Sequence, residues 1–206
     1  MIFISFEGCE GTGKTTLSHF LFEKMIQKYS VILTKEPGGC SFNMEMRKIL
    51  FRYCNKIDFY TEALFYAADR IEHLKKVIIP ALKDNKIVIC DRYIDSSIAY
   101  QGYARKLGPD FIKKINFLAM ENLPNITFYL DLEPEIGIKR LKEQRKYKIE
   151  YFDLQKNSFH NEVRKGYLKL CEQYPERIYK IDATLSLEKI KLIIENKIHQ
   201  LLKNKI

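Results

Sequence analysis

Gly8-Cys9-Glu10-Gly11-Thr12-Gly13-Lys14-Thr15, close to the start of a 206-residue chain, decides how the rest is read. The string completes the pattern G-x-x-x-x-G-K-T. The apolar run Met1-Ile2-Phe3-Ile4-Ser5-Phe6 precedes it, and a helical pattern from Thr16 to Ile26 follows. Strand, glycine-rich turn and helix form the context in which this pattern binds phosphate. Glycines let successive backbone N–H groups converge on an anion, and the helix adds its positive end. Gly8 through Thr15 are therefore candidate nucleotide contacts, with Thr16 as a neighbour. Lys14 has the reach for β- and γ-phosphates, and the Thr15 hydroxyl is a candidate magnesium ligand. Cys9 is either an oxidation-sensitive thiol or simply a small residue tolerated in the turn. The predicted ligand is a nucleoside triphosphate. What is done with it has to come from the rest of the chain.

Composition narrows the classes. The length suits a single domain, 1–206, with a sizeable core. The net charge of +9, from 35 basic and 26 acidic side chains, suits a polyanionic ligand. No run of five basic residues occurs, and lysines scattered through amphipathic helices are usually solvated, so no nucleic-acid partner is expected. Cys9, Cys40, Cys54, Cys90 and Cys171 form no C-x-x-C pair, and the four histidines are widely spaced, which argues against a zinc site. Reduced thiols in the cytoplasm are the simplest reading. No basic segment leads a long apolar run and no stretch of about 18 apolar residues exists, so neither signal peptide nor membrane span is expected.

Beyond the first helix, Val31–Thr34 reads as a strand that runs into the turn Lys35-Glu36-Pro37-Gly38-Gly39. A helix is predicted from Ser41 to Phe51, and a long one from Phe59 to Lys83 that Pro80 bends or ends. The apolar runs Ile87–Cys90, Ile126–Leu130 and Arg177–Ile181 each end before an aspartate, as buried parallel strands do. Helical patterns lie near 109–120, 134–143, 159–174 and 186–202. Alternating strands and helices give an α/β fold, a parallel sheet covered on both faces. Ligands of such sheets sit at the carboxyl ends of the strands. That rim holds the glycine-rich turn, Lys35–Gly39, Asp91-Arg92 and Asp182. The polar segment 142–157 has the weakest periodicity and is read as a mobile lid.

Asp91, at a strand end, is a second candidate magnesium ligand; the competing reading is a helix cap or surface ion pair. Arg92 either pairs with it or offers a fork of donors to a second phosphate. Arg47 and Arg70 are further candidates for that phosphate, although arginines on helices commonly face solvent.

Five stretches now combine: Phe3 to Thr16, Thr34-Lys35-Glu36-Pro37-Gly38-Gly39, Glu62 to Arg70, Asp91-Arg92-Tyr93, and Ser96 to Gly102. Together with Tyr129-Leu130-Asp131, Val163 to Tyr167 and Ile181-Asp182-Ala183, they resemble the bacterial thymidylate kinase family over nearly the whole chain. The resemblance implies a P-loop kinase fold with a five-stranded parallel sheet and a short lid. It implies transfer of the γ-phosphoryl group of ATP to dTMP, with magnesium, usually by a homodimer. It implies that Arg70 meets the thymine edge, Tyr66 stacks on the ring, and Ser97 and Gln101 read the base. Tyr66 stands where phenylalanine is commoner, which stacking tolerates. Arg47 and Arg92 would hold the dTMP phosphate, Glu36 would sit near the deoxyribose and phosphate, and Tyr100 would crowd the 2′ position. Arg140 and Asp182-Ala183 would flank the adenine.

Two positions depart from the family pattern. Bacterial members often carry an arginine in the lid that reaches the transferred group, and counting back from Val163 puts that position at Tyr151. Arg145 is expected to substitute, with Lys148 second. Lys35 stands where arginine is common, keeping the charge and losing the fork. Two rival readings stay open. A deoxynucleoside kinase would need a carboxylate base, Glu7 or Glu36. A P-loop ATPase acting as a binding switch would need no acceptor.

Overall fold

The computed structural model describes residues 1–53, 56–144 and 155–203. Five parallel strands form one sheet: β1 (Ile2–Gly8), β2 (Val31–Lys35), β3 (Ile87–Asp91), β4 (Ile126–Asp131) and β5 (Ile178–Asp182), in the order β2-β3-β1-β4-β5. Each strand is a run of β-branched and aromatic residues, and β1, β3 and β4 are buried nearly throughout, as central parallel strands must be.

Side chains alternate across the sheet and build two apolar layers. On one face, Ile4, Phe6, Ile89 and Phe128 pack against Leu17 and Leu21 of α1 (Lys14–Met25) and Ile190 and Ile194 of α10 (Leu187–Lys203). On the other, Phe3, Val88, Cys90 and Tyr129 meet side chains from three helices. These are α3 (Phe59–His73) with its continuation, the helical stretch between β3 and β4, and α9 (Asn157–Gln173). Fully burying an aliphatic side chain contributes about 1.5–3 kcal/mol, so the two layers dominate the stability.

Register sets the rim. Lys35 pairs with Asp91 and Asp91 with Phe6, while Asp131 pairs with Asp182. The glycine-rich turn, Glu36 and Arg92 therefore leave the sheet side by side, as the strand-end rule requires.

Two helical expectations change, and one helical stretch is new. The pattern from Phe59 to Lys83 is not one α-helix. After His73 it widens into a π turn, Leu74–Ile78, before α4 (Ile79–Lys83), and Ile79 N–H bonds Leu74 O. Pro80 does not end the helix: it falls at the start of α4, directly after the π turn, where its missing donor is tolerated. The 109–120 pattern splits at Asn116 into α6 (Pro109–Ile115) and α7 (Phe117–Met120). There the Asn116 side chain bonds Ile112 O and competes with the helix ladder. The new stretch is Ile94–Ala104: α5 (Ile94–Ser97) runs into a π-helical segment, Ile98–Ala104. Gly166 of α9 lets that segment approach closely, since a Cβ there would lie 2.9 Å from Tyr103. The remaining helices are α2 (Ser41–Tyr53) and α8 (Pro134–Gln144). Of the segment 142–157, residues 142–144 close α8 and Asn157 opens α9; residues 145–154 lie outside the described residues.

Candidate active site

Gly8, Gly11 and Gly13 all take positive φ, so the turn between β1 and α1 curls its backbone N–H groups inward. Gly11 is also a close approach: a Cβ there would lie 2.2 Å from the carbonyl oxygen of Gly137 in α8. Gly13 caps α1 in the left-handed conformation and leaves the first N–H groups without a side-chain cap, available to an anion. Lys14 folds over the turn, its Nζ donating to Cys9 O at 2.7 Å. Burial, then the charge of Arg92, lowers the Lys14 ammonium to about 8. The Cys9 thiol is pushed up to about 12 by burial and then by Glu10, which makes it unreactive and favours the small-residue reading.

The Thr15 hydroxyl donates to Asp91 Oδ2 at 2.6 Å. Magnesium takes hard oxygen ligands and usually keeps several waters, so one hydroxyl and one carboxylate at the mouth of the turn fit its needs. The pairing also accounts for Asp91 without invoking a helix cap.

Arg92 sits at φ 72°, in the left-handed region. Such a conformation costs about 1–3 kcal/mol in a residue with a Cβ, and the surroundings over-determine it. Its Nη1 donates to Gly8 O at 3.0 Å and its Nη2 to Glu10 Oε1 at 2.9 Å. Tyr100 also donates to Glu10 Oε1, at 2.6 Å. Burial works against the Glu10 carboxylate, yet His160, Arg92, Lys14 and Tyr100 together hold it well below the usual range. Beneath Arg92, the buried Glu7 carboxyl accepts from Tyr93 N at 2.7 Å, Ser96 Oγ at 2.6 Å and Tyr167 OH at 2.8 Å. Burial, and then Asp95, push Glu7 up to about 7. Glu7 thus ties the start of α5 to the sheet and sets the turn that carries Arg92.

The cleft continues past Arg92 toward α3, with a volume of about 870 Å³. Glu36 forms its floor, pairing with Arg70 Nε at 2.7 Å and His73 Nδ1 at 2.9 Å. Asn116 Oδ1 accepts from Arg70 Nη1 at 2.6 Å, and Thr34 Oγ1 lies 2.7 Å from His73 Nε2. Arg70 is therefore buried and locked, not a solvent-facing helix arginine. Arg47 reaches back from α2 to donate to Pro37 O at 2.9 Å, its guanidinium 4.5 Å from the Phe51 ring. Tyr66, Ser97, Tyr100 and Gln101 line the remaining wall.

Of the residues expected from sequence, Glu10, Gly11, Gly13, Lys14, Thr15 and Thr16 line this cleft. So do Glu36, Arg47, Tyr66, Arg70, Asp91, Arg92, Ser97, Tyr100 and Gln101. Gly8, Cys9 and Thr12 do not line it; within the turn, Thr12 Oγ1 donates to Cys9 O at 2.9 Å. Arg140 and Ala183 meet each other, Nη1 to O at 3.0 Å, and Asp182 accepts from Thr184 N at 2.8 Å; none of the three lines the cleft. Arg145 and Lys148 lie outside the described residues. Sequence alone gives His73, Asn116, Tyr167 and His160 no role at the site. His160 lies 3.5 Å from Glu10, and nothing but the folded chain joins these residues to their partners.

The cleft thus gathers the glycine-rich turn, Arg92 and the buried Arg70–Glu36 pair into one lining. Set against known proteins, the thymidylate kinase family model matches residues 6–194. The chain is 63% identical to the thymidylate kinase of Aster yellows witches'-broom phytoplasma (strain AYWB), covering 97% of each. It is 46% identical to that of Acholeplasma laidlawii (strain PG-8A), covering 96% of this chain and 98% of the relative. The crystal structure of thymidylate kinase from Ehrlichia chaffeensis superposes with a TM-score of 0.79 at 35% identity, covering 96% and 98%.

Proposed function

We propose a phosphoryl transfer between nucleotides, for the chain belongs to the thymidylate kinase family: the γ-phosphoryl group of ATP passes to dTMP, giving dTDP and ADP. The observation that carries the residue roles is the single cleft running from Lys14 past Arg92 to Arg70.

ATP phosphates belong on the turn from Gly8 to Thr16, with Lys14 leaving Cys9 O to meet them. Thr15 and Asp91 are the pair that would hold magnesium, which when bound offsets charge on the β- and γ-phosphates. The dTMP phosphate takes the donors of Arg92 and Arg47. The thymine lies between Tyr66, Arg70, Ser97 and Gln101, and Tyr100 crowds the 2′ position. Arg140 and the Asp182-Ala183 turn lie toward the adenine. Arg145, with Lys148 second, is the candidate from sequence to cover the transferred group. No general base is required, because the acceptor is already an anionic phosphate; the catalysis is positioning and electrostatics. Engagement of Glu36 by Arg70 and His73, and of Glu7 by backbone N–H groups, leaves neither as the base a nucleoside kinase needs. The protein works in the cytoplasm as a homodimer in this reading. Exposed Phe42, Ile49 and Tyr53 on α2 and Tyr60 and Leu64 on α3 offer an apolar face for a second copy.

Coupled ADP release with ATP and magnesium tests the reaction, comparing dTMP, dUMP, thymidine and no acceptor. Turnover with dTMP is expected, and weaker turnover with dUMP, since one methyl group gives about 1–3 kcal/mol of discrimination. Release with thymidine, or equally without acceptor, overturns it.

A further inference from the structure

Gln101 lines the cleft, yet its amide nitrogen faces a residue outside the lining: Nε2 donates to Glu62 Oε1 at 2.9 Å. Glu62 is 1% exposed and is held by Arg105, whose Nη2 lies 3.2 Å from Glu62 Oε2 and whose Nε lies 3.4 Å from Oε1. Arg105 is itself packed over the Phe59 ring at 4.3 Å. A carboxylate only accepts hydrogen bonds and a guanidinium only donates them. The pair therefore presents a fixed acceptor to Gln101. Were the amide turned over, its oxygen would face the Glu62 oxygen, two acceptors at hydrogen-bond distance.

We infer that Glu62, held by Arg105, is a positioning residue that fixes the sense of the Gln101 amide, so that the base site reads an N–H donor. With Nε2 committed to Glu62, the carbonyl Oε1 is the polar atom Gln101 offers the cleft. Oε1 has no hydrogen-bond partner among the described residues and is not fully buried. In the same cleft, Arg70 is fixed through Glu36, Asn116 and Tyr93 O and supplies only donors. A donor next to an acceptor complements a ring carbonyl next to a ring N–H, the O4 and N3–H of thymine and uracil. Cytosine reverses both, with an amine at position 4 and an acceptor at N3. The selectivity thus separates oxo from amino pyrimidines and does not act on the methyl group. It rests on the assignment of dTMP as acceptor and goes beyond it by giving the recognition a cause outside the cleft.

The experiment measures kcat/KM for dTMP and dCMP with the unmodified chain, Glu62→Gln and Glu62→Asp. An amide at 62 accepts Gln101 in either sense, so Glu62→Gln should cut the dTMP/dCMP ratio by roughly tenfold or more, chiefly through KM for dTMP. Glu62→Asp keeps an acceptor-only group and should hold the ratio within about threefold. A ratio that Glu62→Gln leaves unchanged overturns the inference, even if stability falls, while leaving the reaction intact. No turnover of dTMP by the unmodified chain overturns the reaction and the inference together. Should Glu62→Gln not fold, competition by N3-methyl-dTMP against the unmodified protein serves instead. It should inhibit at least about tenfold more weakly than dTMP competes, and equal potency overturns the inference.

Discussion

Thr15 and Asp91 meet at 2.6 Å although 76 residues of chain separate them. Thr15 lies in the first turn of α1 and Asp91 closes β3, and the pairing of Phe6 with Asp91 brings the two chain segments side by side. A hydroxyl donating to a carboxylate satisfies both groups, and the oxygens of the same two groups would hold magnesium. Asp91→Asn should lower kcat on the order of 10²-fold, and a chelator should abolish turnover in the unmodified enzyme. Turnover titrated with magnesium checks this. An Asp91→Asn variant with unchanged magnesium dependence would remove Asp91 from the metal site.

Lys14 supplies the pH dependence of nucleotide binding. Burial and Arg92 lower its ammonium to about 8. As pH rises through that value the free enzyme loses the charge that meets the β- and γ-phosphates, so kcat/KM for ATP should fall. Lys14→Arg, which stays charged, should flatten that limb whatever its absolute rate. Lys14→Met should lose at least about 10²–10³ in kcat. A kcat/KM profile for ATP from pH 7 to about 9.5 decides, and an unchanged limb in Lys14→Arg assigns it to another group.

The turn, Asp91-Arg92 and the five strands were legible because each is a contiguous signal: a spacing, an apolar run, a residue at a strand end. The partners of those residues were not. Glu36 reads as a substrate contact in sequence, but what fixes it is His73, 37 residues on and buried at a helix end. Asn116 breaks a predicted helix to hold Arg70, 46 residues away, a compromise that helix periodicity has no means to express. The π turns at 74–78 and 98–104 escape for a related reason: a one-residue widening leaves composition and pattern unchanged.

Gly39 shows how tightly that floor is packed. A Cβ there would lie 2.0 Å from His73 Cδ2. The ring cannot yield without breaking its bonds to Thr34 and Glu36. Gly39→Ala should therefore cost about 1–3 kcal/mol of stability through overpacking. It should also raise KM for dTMP, because Glu36 carries the displacement on to Arg70. Denaturant unfolding and dTMP kinetics test both, and a stable variant with normal KM would show that the turn relaxes without moving His73.

Glu7 makes stability fall as pH rises toward neutrality. Its carboxyl stands at about 7 in the folded protein, raised from 4.5 by burial and then by Asp95. Between those two values the unfolded chain has released a proton that the folded chain still holds. The folded state binds more protons there, so its stability is fully present below about 4.5 and declines as pH rises through about 7. Asp69, pushed up to about 6 by burial, adds a slope of the same sign. The informative quantity is therefore the difference between the unmodified protein and Glu7→Gln, whose uncharged amide cannot titrate. Thermal unfolding across pH 4.5–8 should show a shallower decline in Glu7→Gln, with the two curves converging in slope above about 7. Parallel curves throughout would mean that Glu7 is already ionised across this range, stabilised by Tyr93 N, Ser96 and Tyr167. Its hold on the Arg92 turn would then be independent of pH.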